Sequence, residues 1–257
     1  MKRKIRIFYR KTVYVLCCLF GMVSVFLFFR IPRARGIIKE ICLDDKLVWN
    51  KGGRLFVSNH PSWLDQFLTF TFRIFHWNLD YLPYVAVADD SIKRIPFLKF
   101  LKDFCYVVSI ERKGNHSVAT SHIRKMKTLL DIGYNLMMAG AQGRDFKGVE
   151  EGEIIFSPLK NKPLRKFTEL CGLLASLPGV ETMPFCLDGT EKLYREVKVD
   201  GKKEMKFSVW NFFVLFWLLG KIQITIVYGY PLILEGKSRA EATEIIQQSV
   251  LHLLDLF

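Results

Sequence analysis

The stretch Asn59-His60-Pro61-Ser62-Trp63-Leu64-Asp65 sets a histidine five residues before an aspartate. The apolar run Arg54 to Ser58 (RLFVS) reads as a buried strand ending at that histidine. Pro61 to Phe75 is compatible with a helix, with Pro61 or Ser62 near its first turn. Asp65 then falls about one turn into it, a turn being about 3.6 residues, and can face back toward His60. An aspartate bonded to one ring nitrogen fixes the tautomer and leaves the other nitrogen to take a proton. Such a dyad deprotonates a substrate hydroxyl without any protein nucleophile. The plainer alternative is two structural polar residues in a turn, and this pair by itself leaves both open.

Further blocks favour a site. Val107 to Arg112 (VVSIER) puts Glu111 and Arg112 at the end of an apolar run. Ala139 to Gly148 (AGAQGRDFKG) is a glycine-rich loop with Gln142, Gly143, Arg144 and Lys147. Thr182 to Thr190 (TMPFCLDGT) is a strand carrying Pro184. Two arginines at strand ends can clamp a phosphate, because guanidinium matches its oxygens two at a time. Either arginine alone reads equally well as a solvated charge.

Apolar runs alternating with amphipathic stretches supply the scaffold. Strands are expected at Leu82–Ala88, Cys105–Ile110, Asn135–Ala139, Val180–Leu187 and Gln223–Tyr228. Helices are expected at Pro96–Lys102, Ser117–Ile132, Lys166–Ser176 and Ala240–Leu256. This is an α/β pattern, a mixed sheet flanked by helices, in which loops at strand ends carry the chemistry.

Charge and hydropathy point to a membrane. Residues 1–35 hold nine basic residues and no acid, most of the formal net charge of +13. Within them Thr12 to Phe29 is an uncharged run of 18 residues, about 27 Å as a helix, close to a bilayer core. A signal peptide would be shorter and end in small residues, whereas this run ends FLFFRIPR. Residues 1–48 therefore read as an N-terminal membrane-anchoring helical segment, or a hairpin with Arg30 to Ile41 as part of its return limb, and 49–257 as the catalytic domain. Basic flanks on both sides leave orientation open. Phe207 to Gly220 (FSVWNFFVLFWLLG) is short for a span and reads either as an interfacial helix or as a buried core helix. Lys192 to Lys206 reads as a solvated loop or hairpin around Asp200-Gly201.

Several classes are disfavoured. No nucleic-acid motif appears, and the basic excess beside an apolar segment suits anionic lipid. The six cysteines form no CxxC pair, and His76, His116, His122 and His252 show no ligand spacing, so no metal is expected. Cysteines in apolar runs behave as small hydrophobes. No GxSxG elbow is present, so a covalent serine route is not expected.

In this order the blocks resemble those of the glycerolipid acyltransferases, the family that includes 1-acyl-sn-glycerol-3-phosphate acyltransferases. NHPSWLD is a full match, ETMPFCLDGT matches the proline strand, and Val227 to Leu232 (VYGYPL) resembles a late strand of the family. The resemblance spans roughly residues 50–235 and the N-terminal anchor. It implies that His60 is the general base, that Asp65 orients it, and that Arg112 with Glu111, then Arg144 with the amides around Gly143, bind the acceptor phosphate. Asn59, Gln142 and Pro184 would complete the substrate site. It further implies an acyl-CoA or acyl-carrier-protein donor, a lysophospholipid acceptor with lysophosphatidate first, no cofactor, and a catalytic domain at the cytosolic face of a membrane.

The sequence also departs from the family. Where a Pro-Glu-Gly is usual, this chain has Gly140-Ala141-Gln142-Gly143. Anchoring on Arg144 and Phe146-Lys147-Gly148 puts Ala141 at the glutamate position; a one-residue shift puts Gln142 there. The first alignment needs no gap and is preferred. Either way a carboxylate is lost, and the second block lacks its usual glycine. Another lysolipid acceptor is therefore an alternative. So is a lipid-binding homologue without turnover, which the intact NHPSWLD opposes.

Overall fold

The computed structural model describes residues 31–46, 51–60, 84–88, 107–110, 116–141, 152–199 and 202–257. Expectations for Thr12–Phe29, Pro61–Phe75 and Pro96–Lys102 lie outside these residues.

Strand β2 (Arg54–Ser58) shows why the centre of the sheet forms. All five residues are buried, with Leu55 and Val57 in one hydrophobic cluster and Phe56 in the other. A strand covered on both faces is what α/β sheets require. Around it, β1 (Ile38–Cys42), β3 (Tyr84–Ala88), β4 (Val107–Ile110), β5 (Leu136–Ala139), β8 (Glu181–Asp188) and β11 (Ile224–Tyr228) build a seven-stranded sheet. Its order is β1-β11-β8-β2-β5-β3-β4. From β8 to β4 neighbouring strands run parallel. β11 runs antiparallel to β8, and β1 parallel to β11. The expected mixed sheet is present.

Helices α2 (His116–Asp131), α3 (Glu169–Ala175) and α4 (Arg239–Leu254) share one cluster with Leu55, Val57, Leu136 and Met138. The other face packs Phe56, Met137, Met183 and Phe185 against Phe212 and Phe216. Those two phenylalanines belong to a π-helix, Asn211–Leu218, where Leu219 N–H donates to Val214 O, five residues back. Ser238 caps α4, its hydroxyl accepting from Glu241 N–H at 3.2 Å. Gly172 lets α3 touch α4, since a Cβ there would lie 2.1 Å from Arg239 O.

Three differences from expectation have identifiable causes. α3 starts at Glu169 rather than Lys166 because Thr168 is extended, at φ −91° and ψ 151°, in a segment whose N–H groups bond outward: Lys166 to Glu153 O, Phe167 to Gln247 Oε1 and Thr168 to Gly140 O. Ile38–Cys42 is an edge strand paired with Ile224–Tyr228, not a return limb of a membrane hairpin. With Lys39 and Glu40 inside it, this run looks like a strand only once β11 stands beside it. Finally, two small hairpins were not resolved by pattern alone. β6 (Ile154–Phe156) pairs with β7 (Pro163–Arg165), and β9 (Tyr194–Val199) with β10 (Lys202–Phe207). The second realises the hairpin alternative for Lys192–Lys206, with Tyr194 meeting Phe207 edge-on at 5.9 Å.

The ends of β2 differ sharply in chemistry. At its start Arg54 is 2% exposed and paired with Glu181 at the start of β8, which also takes Lys51. At its finish stand Asn59 and His60.

Candidate active site

Parallel strands β2, β5, β4 and β8 end at Ser58, Ala139, Ile110 and Asp188, on one edge of the sheet. The chain turns in opposite senses here. It leaves β2 for β3 on one side and leaves β5 for β8 on the other, which makes this edge the ordinary place for a ligand in an open α/β sheet.

His60 is buried at 9% exposure, two residues past Ser58. Its placement follows from Asn59. The Asn59 amide donates from Nδ2 to Leu187 O and accepts at Oδ1 from Leu187 N–H, both at 2.8 Å. The side chain thus substitutes for one more rung of the β2–β8 ladder, whose last register pair is Ser58 with Phe185. The residue before the histidine is clamped on a strand 128 positions away in sequence.

Gly140, the first residue of the glycine-rich block, is held from both sides. Its N–H donates to Ser58 O at 2.9 Å and its carbonyl accepts from Thr168 N–H. A Cβ at 140 would enter the Phe167 ring at 2.4 Å. That block therefore begins directly beside His60.

Pro184 sits inside β8, opposite Val57. A central strand normally rejects proline, because a ladder donor is lost. Here the Pro184 carbonyl accepts from Gly229 N–H at 2.8 Å. A residue's N and C=O point to the same side of a strand, so the missing N–H faces β11 where its pairing has ended at Tyr228. Two residues earlier, Thr182 exchanges both backbone bonds with Leu232. The proline is buried in the strand body, four residues before its catalytic-edge end at Asp188.

At that end the structure adds groups that were not singled out in the sequence. Asp188 pairs with Lys162, which also lies over the Phe257 ring at 5.5 Å. Gly189 turns the chain at φ 91°, and a Cβ there would lie 2.1 Å from Gln223 O. Glu191 follows, accepting Gly189 N–H at 2.9 Å. Burial pushes the Glu191 carboxyl above its usual range, and the Asp188 charge adds to this against opposing backbone bonds and Lys192. An isolated Asp-Gly-Thr offers no hint of these partners, since Lys162 reaches Asp188 only after the β6–β7 hairpin has folded.

Two of the thiols are inert by burial. Burial pushes Cys171 up to about 11 and Cys186 well above the ordinary thiol range, so neither is a thiolate nucleophile at neutral pH. Among the described residues no group of three or more His, Cys, Asp or Glu is placed to hold a metal. Asp65, Glu111, Arg112, Gln142, Gly143 and Arg144 lie outside the described residues, although the strands that lead into the last five end at the edge that carries His60.

The comparisons agree with this architecture. An open α/β sheet with a buried histidine at its carboxyl edge is the class of protein in hand. Residues 40–149 match the family model Acyltransferase, in line with the family the resemblance implied. The crystal structure of the 1-acyl-sn-glycerophosphate acyltransferase PlsC from Thermotoga maritima shares the fold, with a TM-score of 0.53 and 14% identity over 96% of this chain and 92% of that chain. No curated protein matches the sequence.

Two expected results arise here. Asn59→Leu leaves both backbone groups of Leu187 unpaired in a buried site, so it should cost about 2–4 kcal/mol, read as a lower denaturant midpoint. Glu191→Gln should act in the opposite sense at neutral pH. A carboxyl whose folded pKa is raised contributes its full stability below the unfolded value and loses it as pH rises through the folded one. Gln can still accept from Gly189 N–H without carrying charge. The variant should therefore be more stable than wild type at pH 7, with the difference vanishing in acid, as checked by urea unfolding at both pH values.

Proposed function

We propose that this acyltransferase moves a fatty acyl chain from an acyl thioester, acyl-CoA or acyl-carrier protein, to the free hydroxyl of a lysophospholipid at a membrane. Lysophosphatidate is the first acceptor, giving phosphatidate. The observation that carries the reading is a buried histidine at the carboxyl edge of β2, next to an asparagine whose amide is clamped on Leu187, inside the segment that matches the family model.

In this mechanism His60 takes the hydroxyl proton as the oxygen attacks the thioester carbonyl carbon. The C–O bond forms, the C–S bond breaks, and the departing thiolate takes the proton back from the imidazolium. Asp65 holds the ring tautomer and stabilises that cation. Asn59 acts as a positioning residue, both ends of its amide being spent on Leu187. Arg112 and Arg144, with Glu111, Gln142, Gly143 and the proline strand around Pro184, form the acceptor site. β4 lies three strand spacings from β2, about 14 Å at ~4.8 Å each. The acceptor headgroup would accordingly lie along the sheet edge, with its hydroxyl toward β2 and its phosphate toward Arg112. The absent carboxylate at position 141 or 142 bears on which headgroup fits.

The test is thiol release from a long-chain acyl-CoA by the membrane-solubilised chain, with and without lysophosphatidate. Release that requires lysophosphatidate supports the whole reading. Release only with a lyso-aminolipid or glycerol phosphate keeps the chemistry and replaces the acceptor. No release from folded protein with any acceptor, on either acyl-CoA or acyl-carrier-protein donors, overturns it.

A further inference from the structure

The π-helix Asn211–Leu218 buries one side and leaves the other uncovered. Phe212 and Phe216 sit in the core. Val209, Trp210, Phe213, Leu218 and Leu219 are exposed, Trp210 by 64% and Phe213 by 45%. A helix apolar on every side belongs in a core or in lipid, and this one is only half in a core.

Three further observations identify what covers it. First, the surroundings are basic. Between Lys192 and Lys221 seven basic residues stand against three acidic ones. Among the described side chains Lys192, Arg195, Lys198, Lys206 and Lys221 are exposed, as is Glu196. Second, the uncharged run Thr12–Phe29 stops two residues before the short helix α1 (Ile31–Ala34). Next to α1, the Arg35 guanidinium donates to the carbonyls of Trp217 and Leu218, the latter at 2.8 Å, so it caps the carboxyl end of the π-helix. The residues that directly follow the first apolar run in sequence therefore meet the carboxyl end of the π-helix. Third, that place lies on the catalytic edge. Ile38 pairs with Ile224, and Thr225 pairs with Asp188 at the end of β8. At the other end of the π-helix, the Asn211 side chain bonds Lys192 O at 2.9 Å, in the turn that follows Asp188 and Gly189.

We propose that the exposed face of residues 209–219, flanked by the basic β9–β10 hairpin, is a second membrane-contact surface that rests in the interface of an anionic bilayer on the His60 side of the sheet. An aromatic, aliphatic face bordered by cations suits that depth, where the apolar side is buried about 5–10 Å into the headgroup and acyl boundary. The consequence is that the sheet edge faces lipid, and an amphiphile leaves the bilayer at the site. This goes beyond the acceptor assignment and needs no turnover to test.

The test uses the full chain reconstituted in vesicles of phosphatidylcholine and phosphatidylglycerol, the phosphatidylcholine brominated near the carbonyl end of its chains. Tryptophan quenching is compared in wild type, Trp210→Phe and Trp217→Phe. The N-terminal segment is intact in all three, so loss of Trp210 contact cannot be confused with loss of binding. The expected result is that the emission missing from Trp210→Phe is blue-shifted and bromine-quenched, more strongly than the share missing from Trp217→Phe, and that the quenching weakens without phosphatidylglycerol. A Trp210 share that bromine does not quench overturns the proposal. A blue shift without quenching would give the face to residues 12–29 or to a second copy of the chain, and also overturns it.

Discussion

His60→Ala is expected to lower acceptor-dependent thiol release by about 10²–10⁴-fold, the usual contribution of a positioned general base, while the protein remains folded. Asn59 spends both ends of its amide on Leu187, so the strand end is held independently of the imidazole. Removing the ring therefore removes the proton acceptor without releasing the strand. Asn59→Leu makes the complementary case, since it should lower stability as well as rate. A merely structural His60 would give the reverse pattern, with a lower denaturant midpoint and nearly unchanged turnover per folded molecule. His60→Gln, which keeps hydrogen-bonding capacity and loses the base, should remain as inactive as the alanine variant. Turnover recovered in the glutamine variant would count against the base assignment.

At the opposite edge, Arg54→Met is expected to destabilise the protein by about 3–5 kcal/mol, because removing one partner of a buried ion pair strands the other charge. Arg54 and Glu181 are register neighbours at the starts of β2 and β8, and Lys51 alone would remain to balance Glu181. Burial pushes the Glu181 carboxyl up, but the Lys51 and Arg54 contacts outweigh it and hold the group below its usual range. A depressed carboxyl contributes stability above its unfolded pKa and loses it as pH falls through the folded value. Wild type should thus lose part of its stability on acidification, and Glu181→Gln should show a shallower loss. Replacing both partners, Arg54→Met with Glu181→Met, should recover most of the single-variant cost, since apolar residues of similar volume often match such a pair. Urea midpoints across pH 3–8 separate these outcomes.

Much of the fold was legible because it rests on local pattern. The RLFVS run is β2 residue for residue, and the 3.6-residue period of the last helix is satisfied by α4 from Arg239 to Leu254. NHPSWLD was legible as a candidate site because its histidine follows a strand that can be recognised from its own residues. Other features were legible only as alternatives. Phe207 to Gly220 could be interfacial or core, and only one side of it is core: Phe212 and Phe216 are buried while Trp210 and Phe213 are exposed. Hydropathy sums both sides of a helix and cannot divide them.

What the residues determined by themselves is therefore the set of elements and the chemistry carried at their ends. Periodicity, capping and motif spacing all act within a few residues. Tertiary structure decided the partners: Leu187 for Asn59, Lys162 for Asp188, Glu181 for Arg54, and the carbonyls of Trp217 and Leu218 for Arg35. It also recruited Ile38–Cys42 into the sheet. Each of these contacts joins positions separated by 26 residues or more. No local propensity encodes such a pairing, because its energy exists only once the sheet order has brought the two groups within hydrogen-bond reach.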